Sequence, residues 1–564
     1  MPKIEVLTDV FYRDLGTTYS DEQLEEILPV AKAELDGRDE DEGILKIELN
    51  DTNRPDLWST AGLVRQLRSY AGSEVPLYDF FSNSEEAFDC EGRIVNVDPQ
   101  LEHIRPFIAA FVISGTPIRE AVLKDIIQTQ EKLCWNFGRK RSSIAMGVYR
   151  NDLISYPVRY RAADPDTTRF VPLQMDTELS LREINEQHPK GKEFGHIVAD
   201  FPLFPFLDDD AGQVLSYPPV INSASIGAVQ EGDSELFIEL TGTVHTDVLL
   251  AASIVACDLA DAGYTIAPVQ VVYPYDTEFG REVVSPYYFQ KPAAAELAYI
   301  NRLLGVELSP DEAIEALRRM GIFSVYDDGM IYVTVPEYRN DFLHPVDIVE
   351  DVMIGCGMDS FAPVMPASFT FGRLTPEEEF ARKVKDIMIG LGFQEMMYNY
   401  LGSRKDYIER MNVSGEEYIQ IENPMTENYE YVRASVIPSL LHSESVSANA
   451  VYPHNIFEVG KVAFLAAGDN SGTVTRNSLG FFSADSGIGF NEIKNTLSAV
   501  LFYLNREYEI TELDDPRFIP GRSAAIQCNG TEVGVFGEVH PAVLENWGIQ
   551  MPAVACEIDL DLLQ

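Results

Sequence analysis

The sequence predicts a multidomain chain in which every domain mixes α-helices and β-strands. Its 564 residues suffice for three to five domains, and a hydrophobic content of 45% is enough for ordinary buried cores. Short β-like runs and amphipathic helical patterns follow one another along the chain, which indicates α+β domains. Two proline-containing stretches, residues 271–286 and 359–378, are typical of linkers and divide the chain further.

The composition is strongly acidic, because 43 Lys and Arg residues stand against 90 Asp and Glu residues, a net charge of −47. Broad non-specific binding of nucleic acid needs a positive surface, so the composition argues against that class of protein. Six scattered cysteines without a CxxC motif fit a reducing cytosol. The N-terminus predicts a strand rather than a signal peptide, and the longest apolar stretch, near 248–256, is too short to span a membrane. We therefore expect a cytoplasmic protein.

Residues 1–88 predict an N-terminal α+β domain. Residues 4–7 alternate like a strand, and residues 20–23 carry the Ser-to-Gln spacing of a capping box that opens a helix. A second strand at 43–49 leads into the tetrapeptide 53–56, Asn-Arg-Pro-Asp. We expect this tetrapeptide to shape a turn and cap the next helix, with a ligand-binding loop as the alternative.

Residues 92–270 predict a larger α/β domain. Strands at 108–113 and 144–148 flank a helix over 117–137. The densest basic cluster of the chain follows this helix and consists of Arg139, Lys140 and Arg141. The cluster is typical of a solvated loop, and the alternative is a contact with a phosphate backbone.

A small-molecule pocket is one interpretation of the later part of this domain. The strand 235–240 is apolar apart from its acids and places Glu239 next to the hydroxyl-rich turn 241–243. Apolar walls with a few convergent polar groups are what such a pocket needs. Ordinary strand and turn chemistry explains the same pattern, so the residues alone leave both interpretations open.

Residues 287–357 predict a compact module. Two short helices over 293–304 and 309–320 precede a β-like run at 331–335. A last helix is expected over about 345–354, because a proline suits its first turn and two glycines follow its end.

Acidic residues gather on one face of this last helix. Helical spacing places Asp347, Glu350 and Asp351 together, and Asp341 lies just before the helix. Close carboxylates repel by up to about 1 kcal/mol per pair in water. The helix N-terminus, a Mg²⁺ ion or a basic partner would offset this repulsion, and a solvated acidic face is the alternative. Ile354 continues the face, which favours contact with another surface.

Residues 365–564 predict a last α/β domain. A helix over 376–391 opens it, and consecutive strands with edge turns then indicate a largely antiparallel sheet covered by helices. The expected strands lie at 394–401, 418–422, 456–463, 478–482, 525–528 and 532–537, and the expected helices at 435–448 and 490–505.

Several catalytic motifs are missing from the sequence. It has no Walker A or G-x-G-x-x-G sequence, no HExxH and no G-x-S-x-G, and its eight histidines show no ligand spacing. The chain itself therefore gives little sign of nucleotide hydrolysis, redox chemistry or zinc proteolysis.

Nine motifs nevertheless stand in a recognisable order along nearly the whole chain. They are NDTNRPDLWS (50–59), HPKGKEF (188–194), LSYPPVINS (215–223), FIELTGT (237–243), VPEYRNDFLHPVDIVEDV (335–352), NPMTENYEYVRASVIPSLL (423–441), IFEVGKV (456–462), PGRSA (520–524) and GVFGEVHPAVLENWGI (534–549). Together they resemble the beta-subunit family of phenylalanyl-tRNA synthetase, in its archaeal and eukaryotic-cytosolic type. The lack of the C-terminal anticodon-binding domain of bacterial beta subunits fits that shorter type, and the resemblance favours an archaeal origin.

The resemblance implies a role for each domain. Residues 1–88 would be the N-terminal module, and 92–270 an editing domain that hydrolyses mischarged Tyr-tRNA(Phe). Residues 287–357 would be a winged-helix-like, Mg²⁺-binding module at the subunit contact, and 365–564 a catalytically inactive class II synthetase-like domain. Family enzymes are ligases of two alpha and two beta subunits, in which the alpha subunit attaches Phe to tRNA(Phe) with ATP and Mg²⁺.

Two departures from the class II pattern support an inactive last domain. Arg433 sits in a motif-two-like position, but Ala434 and Ser435 follow it where a Glu is expected. The glycine-containing stretch 487–490 leads to Asn-Glu at 491–492 rather than to an Arg.

The resemblance also implies an editing pocket. Glu239 would accept the phenolic O–H of a mischarged tyrosine in a charge-assisted hydrogen bond. Thr241 and Ser216 would hold the ester or the attacking water. Leu207 would form a wall for the ring, and Asn222 is a weaker candidate.

A metal site and a tRNA path follow from the same resemblance. The Mg²⁺ site, with direct or water-mediated ligation shared with the alpha subunit, would use Asp341, Asp347, Glu350 and Asp351. The acceptor end of tRNA would be guided by Arg139, Lys140 and Arg141, with Lys190 and Lys192. The alpha subunit would carry most of the remaining tRNA contact, because this chain is so acidic.

Two other functions stay open on the sequence. A stand-alone deacylase of mischarged tRNA is one, although the synthetase-like domain and the subunit-contact module argue against it. An acidic metal-binding scaffold without enzymatic function is the other, and it predicts no tyrosine-specific pocket.

Overall fold

The computed structural model describes residues 2–72, 74–83, 88–416, 418–447 and 449–564. They form a mixed α/β chain of two compact units, Met1–Val364 and Met365–Gln564. No helix within the described ranges is long and apolar enough to cross a membrane.

A small antiparallel sheet with three helices opens the first unit. Its strands, in the order β1-β3-β2, are β1 (Lys3–Leu7), β2 (Ala33–Asp39) and β3 (Ile44–Leu49). Its helices are α1 (Thr8–Leu15), α2 (Asp21–Ile27) and α3 (Thr60–Tyr70), with 3-10 turns at Leu28–Ala31 and Pro55–Leu57.

One of the two helix caps predicted for this part of the chain forms in the structure. Ser20 caps α2 through the predicted capping box. The turn at 53–56 forms and holds a buried ion pair between Arg54 and Asp56, but Ser59 rather than Asp56 caps α3. Sequence reasoning missed α1 and β2.

A large curved sheet forms the middle of the first unit. Its strands are β4 (Ile94–Val97), β5 (Phe107–Ser114), β6 (Ile144–Arg150), β7 (Val158–Ala163), β10 (Phe204–Asp208), β11 (Val214–Tyr217), β12 (Ile221–Asn222), β13 (Glu235–Gly242), β14 (Thr265–Val272) and β15 (Glu282–Ser285); β8 (Arg169–Phe170) and β9 (Leu179–Ser180) pair separately. The main order is β12-β11-β10-β7-β4-β14-β5-β13-β6, and β15 pairs with β14. The helices are α4 (Glu120–Lys132), α5 (Leu181–Gln187), α6 (Pro189–Phe194) and α7 (His245–Asp261), with short helical turns at Pro99–His103, Leu133–Phe137, Asn151–Leu153 and Gly195–Ile197.

The two ends of this sheet come together in space. β6 and β12 stand at opposite ends of the strand order, yet Tyr149 of β6 contacts Asn222 of β12 through a hydrogen bond of 3.4 Å. The interior between them is therefore closed on several sides. The helix α7 packs on β5 and β13 and is apolar on nearly all sides, because it is buried there.

A compact module ends the first unit. Its strands, in the order β16-β18-β17, are β16 (Ala293–Glu296), β17 (Phe323–Asp327) and β18 (Met330–Thr334). Its helices are α8 (Leu297–Leu304), α9 (Pro310–Arg319) and α10 (Pro345–Cys356), with a 3-10 turn at Met358–Ser360. The predicted helix over 293–304 is wrong in its first turn, since residues 293–296 pair with β18 instead.

The second unit is built on a seven-stranded sheet that is antiparallel except for its β19–β23 pair. Its order is β19-β23-β24-β28-β27-β26-β25, and β20-β22-β21 form a small sheet. The strands are β19 (Gln394–Glu395), β20 (Leu401–Gly402), β21 (Ile419–Gln420), β22 (Tyr431–Val432), β23 (His454–Leu465), β24 (Thr473–Ala484), β25 (Glu509–Glu512), β26 (Phe518–Cys528), β27 (Thr531–Val539) and β28 (Ala553–Asp559). The helices are α11 (Pro376–Gly390), α12 (Ile437–Val446), α13 (Phe490–Tyr503), α14 (Pro541–Trp547) and α15 (Leu560–Leu563), with short helical turns at Lys405–Glu409 and Glu427–Tyr429.

One strand prediction in the second unit is wrong, because 394–401 splits into β19 and β20, which belong to different sheets. The helix predicted over 435–448 is α12, and residue 448 lies outside the described residues.

Candidate functional site

Glu239 lies on β13 between two strands that present small residues to it. Its register partners are Ala110 on β5 and Gly147 on β6. The residue is 3% exposed, and its Oε1 accepts a hydrogen bond of 2.8 Å from the Tyr149 hydroxyl. A Cβ atom at Gly147 would stand 2.0 Å from that hydroxyl oxygen and 2.6 Å from Oε1, so the pair needs glycine at this position.

Two polar atoms of this site have no partner. Glu239 Oε2 and Ser216 Oγ are buried and make no hydrogen bond within the part of the chain that the structure describes. A buried polar atom without a partner costs about 1–3 kcal/mol of stability. Both atoms keep a capacity for hydrogen bonding, and the Ser216 side chain also acts on the Tyr149 hydroxyl.

Three other residues predicted for the pocket lie side by side on neighbouring strands: Leu207, Ser216 and Asn222. Leu207 of β10 is opposite Ser216 of β11, and Ser216 is opposite Asn222 of β12. Asn222 Oδ1 in turn accepts the hydrogen bond from Tyr149 that closes the sheet. The structure thus brings this row and Glu239 together around one tyrosine hydroxyl.

Thr241 follows Glu239 by two residues on β13 and so projects to the same face of the strand. Its side chain is held by Arg105, whose Nε donates to Thr241 Oγ1 at 3.0 Å and whose Nη2 donates to the Thr241 carbonyl oxygen at 2.6 Å. Arg105 is 1% exposed. A buried guanidinium therefore fixes the end of the strand that carries Glu239.

The surroundings of Glu239 bring its pKa close to neutral pH. Burial raises the pKa of Glu239 to about 7, while the hydrogen bond from Tyr149 and the charge of Arg105 act in the opposite direction. Burial also raises the pKa of Tyr149 far above its usual range, so this phenol stays protonated and remains the donor.

Sequence reasoning missed Tyr149 and Arg105. The bond from Tyr149 to Glu239 spans 90 residues, and the bond from Arg105 to Thr241 spans 136 residues. Neither residue belongs to a motif or a periodic stripe that would have indicated a role. Only the pairing of β13 with its neighbours brings them to the site.

The basic cluster forms a strained loop. Arg139, Lys140 and Arg141 have φ values of 48°, 54° and 67°, a run of left-handed residues that is uncommon without glycine. The Arg141 side chain serves the fold, since it donates to the carbonyl oxygens of Pro219 and Val220. Arg139 and Lys140 are exposed and form no ion pair with any described residue.

Two of the four predicted metal ligands are bound to an arginine instead. Arg339 Nη2 lies 2.5 Å from Asp341 Oδ2 and 2.9 Å from Asp351 Oδ2, and all three side chains are buried. Burial opposes the ionisation of Asp341, but the Arg339 guanidinium outweighs it and lowers the pKa of that carboxyl. The guanidinium takes the place that a cation would have between the two carboxylates.

The other two predicted ligands also have partners within the chain. Asp347 Oδ2 accepts two backbone N–H groups at the start of α10, at 2.7 and 2.6 Å, and Glu350 pairs with Lys32 at 2.9 Å. Among the described residues, no group of three or more His, Cys, Asp or Glu side chains is arranged to hold a metal ion. Within this chain, each of the four carboxylates therefore already has a partner.

The predicted single acidic face of α10 is also wrong. Asp351 is buried while Glu350 is exposed, because Asp351 turns inward to Arg339. Ile354 is buried within the core of its own module and offers no surface to a partner. Charge pairing rather than helical spacing decides where these residues lie.

Arg433 of the second unit is fully buried and bidentate. Its Nη1 and Nη2 donate to the two oxygens of Glu458 at 2.8 and 2.9 Å, and its Nε donates to the Lys461 carbonyl oxygen at 2.8 Å. The Ser435 hydroxyl donates to Glu557. A guanidinium with these partners has little capacity left for a phosphate ligand.

Two family descriptions match the later part of the chain. Residues 294–358 match the tRNA synthetase B5 domain, and residues 362–560 match the phenylalanyl tRNA synthetase beta chain CLM domain.

Curated relatives match the chain over its whole length. It is 48% identical over 565 residues to the phenylalanine–tRNA ligase beta subunit of Borreliella burgdorferi strain ZS7, covering 100% of this chain and 99% of that protein. It is 46% identical over 564 residues to the beta subunit of Borrelia turicatae strain 91E135, covering 100% of both. These relatives are bacterial, so they do not support the archaeal or eukaryotic-cytosolic type that the motifs predict.

One solved structure is similar as well. It is an N-terminal fragment of the phenylalanyl-tRNA synthetase beta-subunit from Pyrococcus horikoshii, with 36% sequence identity and a TM-score of 0.59. The match covers 63% of this chain and 100% of that fragment.

Proposed function

This chain belongs to the beta subunits of phenylalanine–tRNA ligase, and from that premise we propose that it has two tasks. It supports an alpha subunit that attaches Phe to tRNA(Phe) with ATP, in an assembly of two alpha and two beta chains. It also hydrolyses Tyr-tRNA(Phe) that the alpha subunit makes in error. The observation that carries the second task is the buried Glu239 carboxylate with one oxygen occupied by Tyr149 and the other free.

The chemistry of the two amino acids explains why a second site is needed. A hydrophobic pocket rejects a substrate that only adds a hydroxyl by a factor of about a hundred. A site that hydrogen-bonds the tyrosine hydroxyl prefers tyrosine over phenylalanine by a far larger factor. The reason is that phenylalanine leaves the buried acceptor without a partner. Glu239 Oε2 has the properties of such an acceptor.

The neighbouring residues supply the rest of the pocket. In the proposed complex, the tyrosine O–H donates to Glu239 Oε2, and the ring packs against Leu207. Ser216 Oγ, which has no partner among the described residues, holds the ester or the attacking water. Asn222 stays in a lesser role, because it already contacts Tyr149.

The reaction is an ester hydrolysis. Water adds to the ester carbonyl carbon, the bond from that carbon to the ribose oxygen breaks, and tyrosine and tRNA with a free terminal hydroxyl result. The proton of the water passes to the ribose oxygen. Within this chain, the pocket residues orient the ester and the water, and none of them needs to act as a covalent nucleophile.

The exposed part of the basic loop is the proposed contact with tRNA. Arg139 and Lys140 have no ion pair with any described residue, which leaves their charges available to phosphates. Arg141 fixes the loop to the chain beyond β11. With a net charge of −47, the subunit as a whole relies on its partner for most of the electrostatic attraction to tRNA.

The second unit is proposed as a synthetase-like domain that has lost catalysis and supports the alpha subunit. Arg433 is committed to Glu458, which leaves it unsuited to bind the phosphates of ATP. ATP and Mg²⁺ are therefore assigned to the alpha subunit. The proposed hydrolysis does not involve Asp341, Asp347, Glu350 or Asp351, each of which has a partner within this chain.

Reconstitution tests this proposal. The chain is purified alone and with its alpha subunit, and formation of Phe-tRNA(Phe) and deacylation of Tyr-tRNA(Phe) are measured for both preparations. We expect aminoacylation only by the complex and deacylation of Tyr-tRNA(Phe) well above that of Phe-tRNA(Phe). Aminoacylation by the chain alone would overturn the inactive second unit. Absence of deacylation in a complex that forms Phe-tRNA(Phe) would overturn the editing task and leave only the supporting role.

A further inference from the structure

Arg105 differs from the other buried arginines of the described chain. Five arginines are buried, and four of them pair with a carboxylate: Arg54 with Asp56, Arg65 with Asp258, Arg339 with Asp341, and Arg433 with Glu458. Arg105 pairs with no carboxylate among the described residues. The charge of Glu239 acts on Arg105 without a direct ion pair, so the buried guanidinium is only partly compensated, and that cost needs an explanation.

All side-chain partners of Arg105 are neutral acceptors. Besides the two bonds to Thr241, its Nη1 donates to the Ser142 carbonyl oxygen at 3.0 Å, directly after the basic loop. The backbone is fixed too, since the Tyr160 hydroxyl donates to the Arg105 carbonyl oxygen at 2.9 Å. The guanidinium is thus held rigidly between the basic loop and the end of β13.

This arrangement determines how the Thr241 hydroxyl can act. Its oxygen accepts the Arg105 Nε–H, so its own hydrogen is directed away from the guanidinium. Thr241 projects to the same face of β13 as Glu239, which is the face of the proposed tyrosine pocket. A hydroxyl polarised by a guanidinium is a stronger donor than an isolated one.

We propose that Arg105 is a positioning residue of the editing site, which holds the Thr241 hydroxyl as a donor to the ester carbonyl oxygen and favours negative charge there and on Glu239. This inference rests on the editing function proposed above. The negative charge that develops on the carbonyl oxygen when water adds would be a second negative charge near the guanidinium, besides that of Glu239. The cost of burying Arg105 is then offset in the transition state.

The charged and titratable groups around the pair are few. Glu239 faces Tyr149 and Arg105, and Arg105 faces in addition Tyr160, Cys134 and Arg141. Of these, only Arg105 and Arg141 carry a positive charge at neutral pH, and Arg141 is anchored to backbone carbonyls. Loss of Arg105 therefore removes the main positive charge that favours the Glu239 carboxylate.

The test compares Arg105→Met, Arg105→Lys and Thr241→Val in the reconstituted alpha–beta complex. We expect Arg105→Met to lower kcat for Tyr-tRNA(Phe) deacylation by about ten- to a hundredfold with little change in KM. The pH profile of deacylation should move up by about one unit, because Glu239 loses a nearby positive charge. Arg105→Lys keeps the charge and should keep the pH profile. It should lower kcat, because the single ammonium nitrogen lacks the rigid fork with which Arg105 Nε and Nη2 bond the two Thr241 oxygens.

Non-additivity gives a second readout. If Arg105 acts through Thr241, the double variant Arg105→Lys/Thr241→Val should lose no more kcat than Thr241→Val alone. Arg182→Met, an exposed arginine of the same domain that pairs with Asp166, is the control and should leave deacylation unchanged. Aminoacylation by each complex reports whether it has folded and assembled.

The outcomes separate this inference from the proposed function. An active wild-type complex that does not deacylate Tyr-tRNA(Phe) would overturn the editing function itself. Wild-type deacylation that Arg105→Met and Arg105→Lys leave unchanged in kcat and pH profile would overturn only the role of Arg105. If Arg105→Met does not fold, additive losses from Arg105→Lys and Thr241→Val would overturn it instead.

Discussion

Tyr149 donates its phenolic hydrogen to Glu239 Oε1 at 2.8 Å, and Glu239 Oε2 is left without a partner among the described residues. The bond is the same in chemistry as the one proposed for the tyrosine of a mischarged tRNA. Tyr149 thus fixes the orientation of the carboxylate and occupies one of its oxygens. The other oxygen keeps its capacity to accept a hydrogen bond.

Removal of the Tyr149 hydroxyl should therefore weaken editing without unfolding the domain. We expect Tyr149→Phe to lower kcat/KM for Tyr-tRNA(Phe) deacylation by about ten- to a hundredfold, since a hydrogen bond to a charged group contributes about 1.5–3 kcal/mol. The measurement is single-turnover deacylation by the reconstituted complex. Tyr156→Phe, which removes a hydroxyl bonded to Asn151 in the same domain, serves as the control. Equal rates for both variants would show that the Tyr149 bond has no part in editing.

The raised pKa of Glu239 predicts a pH-dependent stability. Its pKa is about 7 in the folded chain and 4.5 when unperturbed, so the folded state binds more protons than the unfolded state between these values. The contribution of Glu239 to the free energy of unfolding therefore falls as pH rises from about 4.5 to about 7, by about 3 kcal/mol in total. Glu239→Gln lacks this titration.

Urea unfolding at about pH 5 and about pH 7.5 measures this effect. We expect the free energy of unfolding of Glu239→Gln to rise relative to that of the wild type between the two pH values. Asp258, whose pKa burial also raises to about 7, is present in both proteins and cancels in the difference. A difference between the two proteins that does not change with pH would mean that Glu239 titrates near its ordinary pKa.

Gly147 should tolerate no side chain. Even a methyl group would displace the Tyr149 hydroxyl and the Glu239 carboxylate, whose atoms would lie 2.0 and 2.6 Å from it. We expect Gly147→Ala to lower deacylation by about tenfold or more and to destabilise the chain by about 1–3 kcal/mol. Gly37→Ala, at a position where a Cβ meets no atom within 4 Å, is the matched control. Deacylation by Gly147→Ala at the wild-type rate would contradict the described packing.

Arg339 should stabilise its module in the way a metal ion would. Arg339→Met removes the guanidinium that hydrogen-bonds both buried carboxylates, Asp341 and Asp351, and leaves only the more distant charge of Arg54 to act on them. This loss should cost about 3–5 kcal/mol of stability. Thermal unfolding of the isolated chain should show a clear loss of Tm for this variant and little change for Arg318→Met, whose arginine pairs with Glu315 near the surface. We also expect the wild-type Tm to be the same with Mg²⁺ and with EDTA. A large loss of Tm in EDTA would instead indicate a bound metal ion that stabilises the chain.

Local sequence rules predicted much of the chain correctly. The capping boxes at Ser20 and Ser309 open α2 and α9, because such caps depend only on residues within one turn. The central strand β13 was predicted from its apolar run. The same pattern placed Glu239 on this strand, and in the structure Glu239 is buried there and bonded to Tyr149.

The errors arose where distant residues decide the outcome. Helical spacing put Asp347, Glu350 and Asp351 on one face. It takes no account of Arg339, which lies outside the helix and binds Asp351 in the interior. Tyr149 and Arg105 were missed because their partners are far away in sequence. Contacts between separate elements can be identified only when the three-dimensional arrangement of those elements is known.

The central claim is that Glu239 selects tyrosine, and the ratio of Tyr-tRNA(Phe) to Phe-tRNA(Phe) deacylation tests it most directly. This ratio is measured for complexes that contain the wild-type chain or Glu239→Leu, which removes the acceptor and keeps a side chain of similar size. We predict that the ratio falls by about a hundredfold or more, with hydrolysis of Phe-tRNA(Phe) maintained or increased. An unchanged ratio in a complex that still aminoacylates normally would contradict the account.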